Sequence, residues 1–547
     1  PSSTPNSITH NDLQNWEARS ITLGDGVSIR GNDLWIGPLG VTMNGPGEST
    51  IAVFSFLSSD SQGASLHAPA GGTLHVESRL AGLGAWEIDG QGTTVLSTAL
   101  PGAPISHAAH GLTVRSGTLV VEGDVRFVGG FSVAPTAQLN LQGRLALKGT
   151  APDVELAGVL AGAGRLEQEG GLVRLHPADA SAFTGQIQAQ AGTLQANGSW
   201  GHASLIVESS ATLDPANLLV ESASLAPGSR LAFTIQGNQT DRFQALGGLD
   251  LAGVILQTEV LALPDPADAL TLITAATLRG TPANLGEFAA RGGRLSLALD
   301  QDQGALILAR LAAPTVITVA SSANPALIDS PVLLTARVLP QAPFLGTPSG
   351  RVVFWDGANP LGTSVLDDSG VAVVALAAAG SSLALGDHAI SIQYEGSPEF
   401  LATTSAPWTQ AVRLAAGVTA RASANPVPLL DPLTLSITVA GVSSTHGPPG
   451  GFVTLRASGQ FLAVLPLDDQ GRAVWTTDQL GVGVRYLIAE YSGDGTYAPS
   501  NSATLAISVE RLTSATVVGV SAASSVIGEP ITLTADVRAI RPLGDQG

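Results

Sequence analysis

Gly117-Thr-Leu-Val-Val-Glu-Gly123 is followed by Leu139-Asn-Leu-Gln-Gly143 and Leu145-Ala-Leu-Lys-Gly149, three short runs closed by glycine. Alternation of apolar and polar residues over four to six positions marks strands with one buried face, and no segment nearby shows a 3.6-residue period. Similar runs fill residues 1–310. A Gly-Thr-Leu unit recurs at Gly72, Gly117 and Gly192, and Gly82-x-Gly84 with Gly90 stands 80 residues before Gly162-x-Gly164 with Gly170. Strands this short, numerous and weakly charged bury their surface best as stacked rungs. Glycines at the corners permit turns with positive φ. The expectation is a β-solenoid over 1–310, in preference to a set of β-sandwiches, for which the glycine spacing is too tight and too regular.

The composition supports an all-β chain. Of 547 residues 64 are Gly, 44% are hydrophobic and only 13% charged. Disorder needs the opposite balance, and coiled coils need abundant Glu, Lys and Arg. The net charge of −19 opposes binding to phosphate backbones or anionic lipid, so no nucleic-acid partner is expected. Without cysteine there are no disulfides, thiolate metal sites or cysteine nucleophiles. One lysine, Lys148, and one methionine, Met43, suit a long-lived extracellular protein and equally suit codon bias in a GC-rich genome. The longest apolar run, Val371–Ala379, is nine residues, short of the ~20 that span a bilayer. The chain starts at Pro1 without a basic or apolar leader and reads as a mature or trimmed product.

Beyond residue 310 the period changes. Asn324-Pro325 returns as Asn425-Pro426, Asp367-Asp368 as Asp468-Asp469, and Gly370 as Gly471, each 101 residues on. Tyr394-Glu-Gly396 returns as Tyr491-Ser-Gly493, and Pro331 as Pro432 and then Pro530. Units of about 100 residues with turns every 8 to 12 positions describe immunoglobulin-like sandwiches. The division is 1–310, 311–413, 414–510 and 511–547. The last copy carries only two strands, at Thr516–Val520 and Ile531–Val537. Two strands cannot close a sandwich, so the chain is expected to continue beyond Gly547, or another subunit to add a strand.

Two resemblances follow. Val159-Leu-Ala-Gly-Ala-Gly-Arg-Leu-Glu-Gln-Glu-Gly-Gly-Leu-Val-Arg-Leu175, Phe183-Thr-Gly-Gln-Ile187 and Ala191-Gly-Thr-Leu-Gln195 resemble the autotransporter-associated β-strand repeat. Asp241-Arg-Phe, Leu249-Asp-Leu-Ala-Gly253, Leu270-Thr-Leu-Ile-Thr274 and Gly286-Glu-Phe288 resemble the stretch that closes such solenoids. This likeness covers residues 70–310 and implies a right-handed parallel β-helix in an exported, non-catalytic protein. Phe354-Trp-Asp-Gly357, Leu361-Gly362, Gly386-Asp-His388 and Tyr394-Glu-Gly396 resemble the bacterial immunoglobulin-like repeat of surface proteins, over 314–413 and again over 415–510.

Candidate chemistry is sparse. Parallel β-helices also house polysaccharide lyases and glycosidases, which need paired carboxylates about 5–10 Å apart. The pairs are Glu87 and Asp89, Glu122 and Asp124, Glu167 and Glu169, and Asp265 and Asp268. The first and third are read as one repeat position on a solvated face, since residues two apart share a strand face. Trp86-Glu-Ile-Asp-Gly-Gln-Gly92 is similar to pectin-degrading β-helices, but their downstream Asp-Asp, Gly-His and Arg-x-Lys elements are missing. His107 and His110 lack further ligands for zinc. There is no Gly-x-Ser-x-Gly elbow and no phosphate loop. Calcium is the most plausible ion, at Asp367-Asp368, Asp468-Asp469 and Asp494, although a type I turn accounts for the Asp pairs equally well. Tyr394 and Tyr491 are expected to fill the sandwich cores as tyrosine-corner analogues. Trp355, Trp408 and Trp475 are expected in core or interdomain packing rather than on a carbohydrate platform. Asn197 and Asn238 fit the N-glycosylation pattern, which a bacterial source makes irrelevant.

The sequence thus reads as an exported, rod-like structural or adhesive component of a bacterial cell-surface appendage or filament. No catalytic, cofactor-binding or metal residue is assigned. The expected partners are further copies of the chain, as a homo-oligomer or polymer, and a surface glycan or a host or matrix target. A polysaccharide-active β-helix and a phage-type fibre are the alternatives.

Overall fold

Every third strand of the first 196 residues stacks on its predecessor. A computed structural model describes residues 8–11, 16–53, 55–59, 61–97, 105–107, 111–148, 154–376, 383–442 and 444–540. One face runs in parallel from Ile8–Asn11 through Ser28–Gly31, Glu48–Val53, Thr73–Val76 and Thr93–Leu96 to Asp179–Phe183. A second includes Leu34–Ile36, Ser55–Ser58 and Arg79–Gly82, then Asp124–Phe127, Arg144–Lys148 and Arg165–Gly170. A third includes Ala64–Ala68, Trp86–Gly90, Gly111–Val114, Gly130–Val133 and Leu172–Leu175. Three strands per coil, each paired in parallel with the strand three further on, make a three-faced β-solenoid.

Inward-pointing residues form columns. On the first face Ile29, Ile51, Val76, Leu96, Val121 and Leu141 lie one above another, and all are buried. Each such side chain contributes about 1.5–3 kcal/mol through burial. Trp86 and Trp200 are completely buried, and their indole N–H groups donate to the carbonyls of Ala81 and Asn197. One corner is a stack of glycines. Arg144, Arg165, Gln186 and Ser204 donate their N–H groups to the carbonyls of Gly123, Gly143, Gly164 and Gly185 on the preceding coil. A Cβ at Gly143, Gly164 or Gly185 would lie 2.0–2.2 Å from the glycine carbonyl oxygen below it. From Gln186–Ala196 onward the strands lengthen. The parallel stack ends where Ala269–Arg279 pairs antiparallel with Ala305–Leu311, next to Gly286–Ala290 and Gly293–Asp300.

The expected 80-residue repeat is not structural. Gly82 ends a strand of the second face, whereas Gly162 ends one of the first. Thr73 and Thr118 share the first face, but Thr193 pairs with Leu172 on the third. Coil length explains the drift. Ile8 stacks on Ser28, 20 residues on, while Thr93 stacks on Thr118, 25 on, so a fixed offset wanders between faces.

The chain divides into two units, Pro1–Ala313 with Ala342–Gly346, and Pro314–Gln341 with Thr347–Gly547. The second unit contains two sandwiches of identical topology. In the first, Thr315–Ser321, Val332–Pro340 and Val371–Leu376 form one antiparallel sheet. The facing sheet is ordered Ala326–Leu327, Trp408–Arg413, Gly386–Tyr394, Arg351–Asp356 and Asn359–Val365. The second module repeats both sheets, and its facing sheet ends in Phe452–Ala457 and Gln460–Pro466. Thr513–Val520 and Leu533–Ile540 then pair as an antiparallel hairpin with every residue exposed. Ser322 and Ser423 in the two modules and Ser521 in the hairpin each accept at the hydroxyl an N–H from the residue 11 further on. The hairpin therefore shares this contact with the opening strand pairs of both modules.

Candidate functional site

The densest group of charged side chains lies on the second face of the solenoid. Strand register puts Asp124, Arg144, Arg165 and Gln186 in one column and Arg126, Ala146, Glu167 and Gln188 in another. Neighbouring strands are about 4.8 Å apart, so long side chains reach across one or two rungs. Arg144 donates to Asp124 at 2.7 Å and to Glu167 at 2.5 Å, and lies 3.6 Å from Glu169. Arg165 approaches the other Glu167 oxygen at 3.2 Å and donates to Gln186 at 2.7 Å. Gln190 donates to Glu167 at 3.1 Å, and Arg126 donates to Glu169. The bond to Glu167 raises the Arg144 pKa above its ordinary value, against the opposing pull of burial and aided by Asp124.

This arrangement corrects the expectation of a solvated, repeated face. Glu167 is 3% exposed, covered by the side chains that pair with it. Nor do the two acidic pairs share a repeat position, since Glu87 and Asp89 stand on the third face. Glu87 pairs with Arg115 at 2.5 Å and Asp89 with His67 at 2.8 Å, each across one coil. A hydrolytic pair needs one carboxyl free to give up a proton and one free to attack or to activate water. Glu167 instead has both oxygens occupied by arginine and glutamine donors, and Glu169 is bonded to Arg126 through one oxygen with Arg144 3.6 Å from the other. What the ladder does is tie coils together.

The remaining candidates have local partners. Asn238 donates to Asp265 and Asp268 at 2.9 and 2.6 Å, which uses its side-chain amide inside the solenoid unit. His107 falls on the strand Ile105–His107, and His110 lies outside the described residues. Among the described residues no group of three or more His, Asp or Glu side chains is arranged to hold a metal. Asp367 accepts N–H bonds from Ser369 and Val371, and Asp468 from Gln470 and Arg472, which is turn chemistry. Asp494 accepts from Gly450, Thr496 and Tyr497 at 2.8, 2.7 and 2.6 Å. Burial opposes its ionisation, but these donors outweigh burial and hold its pKa below the usual aspartate value. Donor N–H groups stand where a cation would need open oxygens.

Tyr394 and Tyr491 are buried as expected, and burial pushes both phenols upward. The hydroxyl of Tyr394 donates to Ser349, 45 residues upstream, so the contact is long-range and not that of a tyrosine corner. Trp355, Trp408 and Trp475 are only half-buried. Trp355 pairs with Ser391 and stands on the outer side of its sheet, because Phe354 next to it takes the core position.

The joint between the two modules leaves one trace in the sequence, an Arg-Leu pair at 310–311, 413–414 and 511–512, ahead of the opening strands. Arg413 closes the last strand of the first module and donates to the carbonyls of Gly386, Val412 and Asp494 and to the carboxylate of Asp387. Leu414 bridges to Tyr497, donating to Thr496 and accepting from Ala498. Ile328 and Leu385 pack on the core of the second module. Asn324 and Asn425, visible as a repeat, each fasten the opening segment of a module to its last strand through a side-chain amide.

Residues 318–413 and 419–510 each match the family model of the bacterial Ig-like domain (group 3). These stretches are tandem bacterial Ig-like domains. No curated protein matches the chain. Among solved structures, the fibronectin(III)-like modules of Clostridium thermocellum CbhA are 15% identical with a TM-score of 0.24, over 36% of this chain and 95% of that one. The Yersinia pseudotuberculosis adhesin InvE is 14% identical with a TM-score of 0.16, over 34% of this chain and 58% of that one. A C-terminal fragment of intimin, in complex with the intimin-binding domain of the translocated intimin receptor, is 16% identical with a TM-score of 0.20, over 37% and 66%. Scores this low carry no weight for function. Among the described residues no helix is long and apolar enough to cross a membrane.

Proposed function

We propose that the chain is an exported structural or adhesive component of a bacterial cell surface, built to hold position and not to turn over a substrate. The observation that carries this reading is the pair of tandem bacterial Ig-like domains joined without a spacer, Arg413 and Leu414 being shared between them. A joint that inserts side chains from one module into the next transmits force between them. The solenoid supports the same reading. Its most concentrated charges are consumed in coil-to-coil ion pairs, and every coil depends on its neighbours. The family of the autotransporter-associated repeat, which residues 159–195 resemble, consists of exported proteins and points the same way. The role requires no cofactor. Its partners are further copies of the chain and a surface glycan or host or matrix target. Antibodies raised against the Ig-like modules test the location. They are expected to label intact, unpermeabilised cells of the source bacterium, and labelling only after permeabilisation would overturn the reading.

A further inference from the structure

Two successive rungs of the second face meet without pairing. Residues 222–225 pair with 204–207 on the coil before, and 248–250 pair with 277–279 on the coil after. Among the described residues no ladder joins 222–225 to 248–250. Pairing of these two coils breaks off at Val220 and Ala245. It resumes where Gly228 donates to the carbonyl of Gly253 and Ile255 to that of Ser229. Two strand edges therefore face each other across a gap, and an unpaired edge presents backbone N–H and C=O groups. Pro227, at the far side of the gap, has no N–H with which to close it.

The gap opens into a groove of about 560 Å³, within the roughly 300–1,000 Å³ usual for small-molecule sites. The exposed Ser224, Asp250, Thr277 and Arg279 line its mouth, and the buried Leu225 and Leu249 its floor. Gly248, opposite Thr277 in register, leaves the space between them unfilled. A second groove of about 470 Å³, beside Thr234 and Gln257, lies over rungs paired residue for residue and exposes no such edges.

We infer that the groove between residues 222–225 and 248–250 binds one neutral hexose unit of a glycan. An inserted polypeptide strand would need the rungs about 9.6 Å apart, twice the strand spacing, and the coils are joined on both sides of the gap. Asp250 and the net charge of −19 oppose an anion, and Arg279 opposes a cation. No aromatic ring lines the groove, so a flat heterocycle has nothing to stack on. A pyranose meets every demand. Its hydroxyls donate and accept by turns, matching the strand edges, the carboxylate and the guanidinium, and its C–H groups suit the two leucines. The inference rests on the glycan partner proposed above, but sugar binding by the purified chain and labelling of intact cells fail independently.

Saturation-transfer NMR of the full chain with glucose, galactose, mannose, N-acetylglucosamine and glucuronate, each in turn, tests it. At least one neutral sugar is expected to bind. Gly248→Val would fill the groove, and its Cβ would press only on the Thr277 hydroxyl, 2.7 Å away at the end of a side chain. It is expected to abolish binding with an unchanged melting profile. Arg279→Gln is expected to weaken binding at least tenfold. Gln257→Ala in the second groove is the control and is expected to leave binding as it was. The inference is overturned if none of the neutral sugars binds, if Gly248→Val or Arg279→Gln binds as the parent does, if Gln257→Ala abolishes binding, or if glucuronate binds more tightly than glucose.

Discussion

Asp494 shows how much of a module's chemistry is spent on holding a loop. Its carboxylate receives three backbone N–H groups, and charged acceptors make stronger hydrogen bonds than neutral ones, about 1.5–3 kcal/mol each against about 1. Its pKa is lowered in the folded state. The stabilisation is therefore fully present above the unfolded aspartate value, near 3.9, and is lost as pH falls through the folded value. Asp494→Asn is expected to lower the stability of the second module by about 1 kcal/mol at pH 7, allowing for partial exposure. The calorimetric melting curves of variant and parent should converge as pH falls toward 2. A constant gap down to acid pH would contradict the assignment. The position was visible in the sequence as a candidate ligand, but its role was not. A run such as Tyr-Ser-Gly-Asp-Gly does not say whether cations or N–H groups will face the aspartate.

At the scale of the element, strand type and strand sites were readable, and register was not. The glycine-closed runs at 117–121, 137–141 and 144–148 are strands, because period-two alternation reflects which side chains enter a core. The Arg144–Glu167 pairing was hidden for a different reason. It depends on how many residues each coil spends in its turns, a quantity set by local turn geometry and not by strand pattern. The glycine corner is where that register is fixed. Gly164→Ala is expected to destabilise the solenoid, against the ~0.5–1 kcal/mol by which a Gly→Ala exchange at an unstrained position stabilises, since the new Cβ would lie 2.2 Å from the Gly143 carbonyl oxygen. Backbone atoms hydrogen-bonded between coils cannot swing aside as a side-chain end can. A calorimetric transition of the solenoid left unshifted by this substitution would show that the corner relaxes freely. The 80-residue spacing misled for the same reason that Glu167 surprised: coils of 20 and 25 residues give no constant period.

For the whole molecule, low charge density and abundant glycine identified the all-β class. The 101-residue period identified the tandem modules, since sandwiches repeated in series keep their turn residues at fixed spacing. Arg413-Leu414 recurs as Arg310-Leu311 and Arg511-Leu512 ahead of the opening strands, but the recurrence does not say which groups of the next module the arginine and leucine will meet. The chain is proposed to work by binding and bearing load, with Glu167 and Glu169 held by the arginines of neighbouring coils. The direct test is incubation of the purified chain with a panel of polysaccharides, followed by assay for reducing ends and unsaturated sugars. No release above a protein-free control is expected at acid, neutral or mildly alkaline pH. Sustained release that Glu169→Gln abolishes, in a variant that still folds, would contradict it.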